Sequence, residues 1–131
     1  ERSFFRSTAA HNTVMVNDTE QSQCWGAFRM AKRGKVSVKN VTDQSIVIEW
    51  LDQKKQRVIR TIQMDDSLTV TDISKKNKLV GFIHRVGGSE VNITGSKKIV
   101  KQDYAPDYGM KHSVDVIEYT GVDMISVQIN L

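Results

Sequence analysis

A single cysteine, Cys24, leaves the chain unable to close an internal disulfide or to assemble a thiolate zinc site. It reads as a small hydrophobe beside Trp25 and decides nothing about compartment. There is also only one proline, Pro106, in a Tyr-Ala-Pro-Asp-Tyr-Gly stretch that reads as loop. No apolar run approaches the roughly 18 residues of a membrane-spanning helix. No segment carries an i, i+3, i+4, i+7 apolar stripe long enough for a sizeable helix. Glycine-rich dinucleotide and phosphate loops, a nucleophile elbow and a His-Glu-x-x-His pair are all missing, as is the aromatic and basic interleaving of RNA readers. Without a paired-carboxylate constellation, a self-contained glycoside hydrolase is disfavoured too. The chain opens Glu-Arg-Ser-Phe-Phe, with no initiator methionine and no apolar leader. It is therefore expected to be a piece of a longer protein whose export signal, if any, lies upstream.

What the chain has in abundance is alternation. Its 131 residues are 39% hydrophobic and 26% charged, the composition of one globular domain spanning 1–131 with a real core. Val36, Val38 and Val41 fall in one run. Ile46, Ile48 and Trp50 alternate with Val47, Glu49 and Leu51. Leu68, Val70 and Asp72 alternate with Thr69, Thr71 and Ile73. Val114 and Val116 share a face, and Ile125, Val127, Ile129 and Leu131 form a one-sided strand. Turn chemistry is expected at 52–55, 65–66, 75–78, 87–89, 95–96 and Gly121. Strands at about ten-residue spacing predict an all-β fold, an antiparallel double-layered β-sandwich.

Nineteen Lys and Arg against 15 Asp and Glu give a net charge of +4. Such an excess suits a polyanion, but the basic pairs 32–33, 54–55, 75–76 and 97–98 fall mostly in expected turns and build no single face. Nucleic acid and membrane are accordingly not expected partners.

Chemistry concentrates near the start. His11 stands beside an amide and a hydroxyl, Asn12 and Thr13, where loop passes into the apolar strand Val14-Met15-Val16, with Arg6 just upstream. A histidine is the side chain whose ordinary pKa lies nearest neutrality, and loop-to-strand junctions are where reactive groups are often presented. Asn12 can donate its amide to a carboxylate or orient the His11 ring. Arg6 can pair an anionic substrate group through its planar fork.

The run Arg6-Ser7-Thr8-Ala9-Ala10-His11-Asn12-Thr13, followed by the strand, Asp18 and Gln21-Ser22, resembles the β-sandwich domain of heparinase II/III-like polysaccharide lyases. The segment 104–109 resembles a Tyr-Ser-Pro-x-Tyr-Gly turn of the same sandwiches, with Ala105 in place of serine. The resemblance implies a C-terminal domain that faces an upstream helical toroid across a cleft. The expected activity is β-elimination in acidic, uronate-containing polysaccharides such as glycosaminoglycan or alginate. It implies that His11 is catalytic, as base or carboxylate stabiliser, with Arg6, Asn12 and Gln21 binding substrate. Trp25 and Arg29 occupy the family's aromatic-x-x-Arg run, where Trp25 reads more readily as core than as a sugar platform. A bacterial, periplasmic or extracellular enzyme is implied.

No cofactor and no metal are expected: Thr13 stands where some members carry the second zinc-binding histidine, and His84 and His112 have no recognisable ligand spacing. His84 with Asp72 is the one pairing left open. Three Asn-x-Ser/Thr sequons, at Asn17, Asn40 and Asn92, carry meaning only in a eukaryotic secreted chain. The rival expectation is a non-catalytic carbohydrate-binding or scaffolding sandwich, since a fold can outlive its site.

Overall fold

A computed structural model of the chain describes residues 12–21, 23–25, 29–31, 35–85, 91–94, 96–104 and 112–130, with side chains described over 12–21, 35–83, 91–94 and 115–130. These contain ten strands: β1 (Val14–Val16), β2 (Gln23–Trp25), β3 (Arg29–Ala31), β4 (Lys35–Val41), β5 (Ser45–Leu51), β6 (Arg57–Met64), β7 (Ser67–Arg85), β8 (Val91–Ile93), β9 (Ser96–Tyr104) and β10 (His112–Asn130). No helix occurs among the described residues. Every strand pairing is antiparallel. β2 and β3 form a small ribbon, and the other eight strands belong to one continuous hydrogen-bonded sheet.

That sheet makes two layers because its two central strands are long and bent. β7 and β10, each of 19 residues, pair along nearly their whole length. The register jumps once: Val122 opposes Lys78, but Asp123 opposes Ser74, so Lys75, Lys76 and Asn77 bulge out of β7. Lys76 and Asp123 both take left-handed backbone conformations, with φ of 63° and 69°. The Lys76 amide donates to Asp123 Oδ1 at 2.6 Å, which ties the two irregularities together. At this corner each strand changes its outer neighbour. Before the bulge β7 pairs with β6, and after it with β1. β10 pairs with β9 before its irregularity and with β8 after it. One layer is thus β4-β5-β6-β7-β10-β8 and the other β1-β7-β10-β9. Bulges that bend strands from one layer into the next are a standard way of turning such corners.

This corrects two expectations. The segments 75–78 and Gly121 are not chain reversals but lie inside β7 and β10. The turns expected at 52–55 and 65–66 are present. At the first, Asp52 is buried and its Oδ1 accepts from the amides of Lys54 and Gln56 at 2.9 and 3.0 Å, the local bonding that makes aspartate a turn former.

The core lies between the layers. Val14, Val16, Leu79 and Tyr119 come from one, and Trp50, Val58, Ile125 and Val127 from the other; together they form one buried cluster. Burying each such aliphatic side chain stabilises the fold by roughly 1.5–3 kcal/mol. Gly81 sits between Val14 and Tyr119 in the register, and the Tyr119 ring covers it so closely that a β-carbon there would fall inside the ring. Glycine leaves the space that the aromatic ring fills.

Candidate functional site

The first described residues, Asn12 and Thr13, lead into β1. The Thr13 carbonyl accepts from the Phe82 amide at 2.9 Å, extending the β1–β7 pairing one step upstream. After β1 the chain reverses over Val16-Asn17-Asp18-Thr19. Asn17 and Asp18 have φ of 48° and 58°, and the Thr19 amide returns to the Val16 carbonyl at 2.9 Å. Asn and Asp tolerate this left-handed pair better than other side-chain-bearing residues, which is why this dipeptide can close so tight a turn. Asn17 is further fixed by its own amide group, which donates to Gln56 and Asn77 and accepts from the Lys78 backbone amide. Its nitrogen, though on the exposed surface, is therefore engaged in two hydrogen bonds, unlike that of an open glycan acceptor.

The reversal carries Gln21 back beside Thr13. Gln21 Nε2 donates to Thr13 Oγ1 at 2.7 Å and to the Val14 carbonyl at 3.2 Å. Both amide hydrogens are spent bracing the start of β1.

The opposite wall comes from the second layer. Arg60 on β6 and Asp72 on β7 are direct cross-strand partners, and both occupy inward positions. Arg60 Nε and NH2 meet Asp72 Oδ1 and Oδ2 at 2.7 and 2.9 Å, a two-pronged fork. Asp72 is 1% exposed and the Arg60 side chain 14%. The guanidinium lies 5.3 Å from the centroid of the Trp50 ring, within cation–π range. Trp50 Nε1 is buried with no hydrogen-bond partner among the described residues. The third guanidinium nitrogen, NH1, reaches across and donates to the Asn12 carbonyl at 3.2 Å.

Burial acts on this cluster in one direction and pairing in the other. It opposes charge on Arg60, but the hydrogen bond and charge of Asp72 more than offset it and hold the guanidinium protonated. Burial pushes the Asp72 carboxyl above its ordinary value, against the pull of Arg60. A proton on Asp72 would have to displace one of two short N–H donors, so the pair stands ionised near neutral pH. Burial, reinforced by Asp72, also raises the Tyr119 hydroxyl well above its ordinary range.

Between these walls lies a cleft of about 290 Å³, lined by Thr13, Gln21, Trp50 and Arg60 together with the apolar Val36, Ile48, Leu51 and Ile62. The structure thus brings Gln21 beside Thr13 and adds Arg60 and Trp50. Asn12 is exposed and meets Arg60 through its carbonyl. His11 and Arg6 lie outside the described residues, as do the side chains of Trp25, Arg29, His84 and His112 and residues 105–110, where a loop is expected. Asp72 is committed to Arg60. Among the described residues no cluster of three His, Cys, Asp or Glu could hold a metal ion. Arg60 is not among the site residues expected from sequence, and Asp72 is expected only as an open pairing with His84, yet the pattern carries a signal: each puts a charge at an inward position of an alternating strand, Val58-x-Arg60-x-Ile62 and Val70-x-Asp72-x-Ser74.

The family model for heparinase II/III-like, C-terminal domains matches residues 1–76, more than half of the chain. The chain belongs to that family. The matched stretch contains the His-Asn-Thr segment, the reversal and all the cleft-lining residues. No curated protein and no solved structure matches the chain. The heparinase II/III-like domain is therefore placed by its family model and described by its own geometry.

Proposed function

We propose that this domain forms one wall of the active-site cleft of a polysaccharide lyase that cleaves acidic, uronate-containing chains by β-elimination, with His11 as its contribution to the chemistry. The observation that carries the reading is the family match over the segment holding His11, two residues before Thr13, which lines the cleft. Elimination requires that a uronate carboxylate be neutralised so that the proton on the adjacent ring carbon becomes removable. A base takes that proton, its electron pair forms the ring double bond, the bond to the glycosidic oxygen breaks, and an acid protonates the departing oxygen. A histidine can serve as the base or as the partner of the carboxylate. Asn12 and Arg6 are proposed to hold the anionic group, and an upstream helical toroid to supply the facing residues. Gln21, with its amide hydrogens on Thr13 and Val14, acts by bracing this wall.

The test is the ultraviolet absorbance of unsaturated uronate released when the full-length protein is incubated with a panel of acidic polysaccharides. His11→Ala should lower turnover by roughly 10²- to 10⁴-fold, the scale of a positioned acid–base group, while His112→Ala should leave it intact. Binding without any release of unsaturated product would favour a carbohydrate-binding module instead.

A further inference from the structure

The mechanism leaves unused the most deeply buried charge in the described residues, and it lies against the site. A forked ion pair buried on the inner face of one layer is a weak source of net stability, because apolar side chains of similar volume commonly serve as well. What apolar side chains could not do is reach the Asn12 carbonyl. Asp72 holds two of the three guanidinium nitrogens, Trp50 lies under the guanidinium, and the third nitrogen is directed at the backbone one residue after His11. Asp72 is in turn fixed at the middle of the sheet, between Arg60 of β6 and Ile125 of β10. The chain is thus linked from the rigid centre of one layer, through Arg60, to the lead-in of β1 in the other.

We infer that Arg60, clamped by Asp72, is a positioning residue for the Asn12–Thr13 peptide and so for the lead-in of β1. This rests on the reading of His11 proposed above. Arg60 touches no reacting atom in this scheme; it sets where the Asn12–Thr13 peptide, one unit beyond His11 in sequence, stands relative to the cleft. A misplacement of about 1 Å can cost a reaction about a hundredfold without weakening substrate binding in proportion.

The experiment uses the full-length protein carrying Arg60→Met with Asp72→Leu, so that no charge is left buried alone. Val127→Ala serves as a control that loosens the same core away from the guanidinium. In the lyase assay the double variant should lose about 10- to 100-fold in kcat with KM within about twofold, and Arg60→Lys should fall between it and wild type. In a His11→Ala background the same double substitution should cost less than about twofold, because two groups acting through one step are not additive. Hydrogen exchange read by mass spectrometry should show faster exchange over residues 11–16 in the double variant, and no such change in Val127→Ala. Unchanged kcat, or an equal loss in the His11→Ala background, would overturn the inference. If the wild type eliminates no polysaccharide, the functional proposal falls by itself; exchange over 11–16 then decides whether Arg60 positions this backbone, and unchanged exchange rejects it.

Discussion

At Asp72 a carboxylate stands where the alternation of β7 leads one to expect an apolar side chain. Removing one member of such a pair strands the other without water. Asp72→Ala or Arg60→Ala should therefore cost about 3–5 kcal/mol in denaturant unfolding, whereas Arg60→Met with Asp72→Leu should come out nearly level. The pH dependence follows from the direction of the Asp72 shift. Its folded value lies above the ordinary 3.8, so the stability this group contributes is fully present below that value and is lost as pH rises through the folded one. Wild type should accordingly gain on Asp72→Asn in melting temperature as pH falls from neutrality toward about 4. A gap that shrinks instead would place the folded carboxyl below its ordinary value. A second residue-scale prediction concerns Gly81. A β-carbon there meets Tyr119 Cζ, Cε1 and Cε2, and the ring, 1% exposed, has no solvent side to retreat to. Gly81→Ala should cost about 1–3 kcal/mol, and the cost should shrink in a Tyr119→Leu background, as a double-mutant cycle would show.

Strand by strand, alternation located what lies half-buried. β5 and one end of the long ribbon are legible because Trp50, Val70, Ile125 and Val127 fall, within each strand, on the parity that faces the core. β6 is not legible in the sequence, because Arg60 occupies the inward slot between Val58 and Ile62 and breaks the apolar rhythm; the side chain that conceals the strand is the one that joins the site. The continuity of β7 and β10 was equally illegible. Lys75, Lys76 and Gly121 carry the composition of turns, and only cross-strand registration distinguishes a bulge from a reversal. Of the site, the His-Asn-Thr segment was visible as a motif. Arg60 and Trp50 were not, since they reach it from the opposite layer and no local spacing encodes that approach. At the bulge, Asp123 combines a left-handed backbone with an acceptor for the Lys76 amide. Asp123→Ala loses both and should cost about 1–3 kcal/mol. Asp123→Asn should be close to neutral and Asp123→Gly intermediate, all read from thermal or denaturant midpoints.

For the molecule as a whole, a charge of +4 whose basic residues are spread over turns, the bulge and the strands β4 and β9 gives little focused field. Retention of this chain on heparin should be weak and should vanish well before about 1 M salt, where the screening length is about 3 Å. The outer edge of the larger layer belongs to β4, whose residues are all exposed, Val36 at 72% and Val38 at 62%. Lys35 and Lys39, also exposed on this strand, are the kind of charge that discourages pairing between copies. The bent β7–β10 ribbon has a kinetic consequence. Since both layers hang on the same two strands, neither can close before β10, the last of the ten, has found β7 across a connection of more than 25 residues. Folding then waits on a non-local pairing event, in the millisecond-to-second range of high contact-order β proteins. Once formed, the ribbon makes the two layers open together, so amide protons of β5 and of β1 should exchange by the same global unfolding rather than by separate local openings.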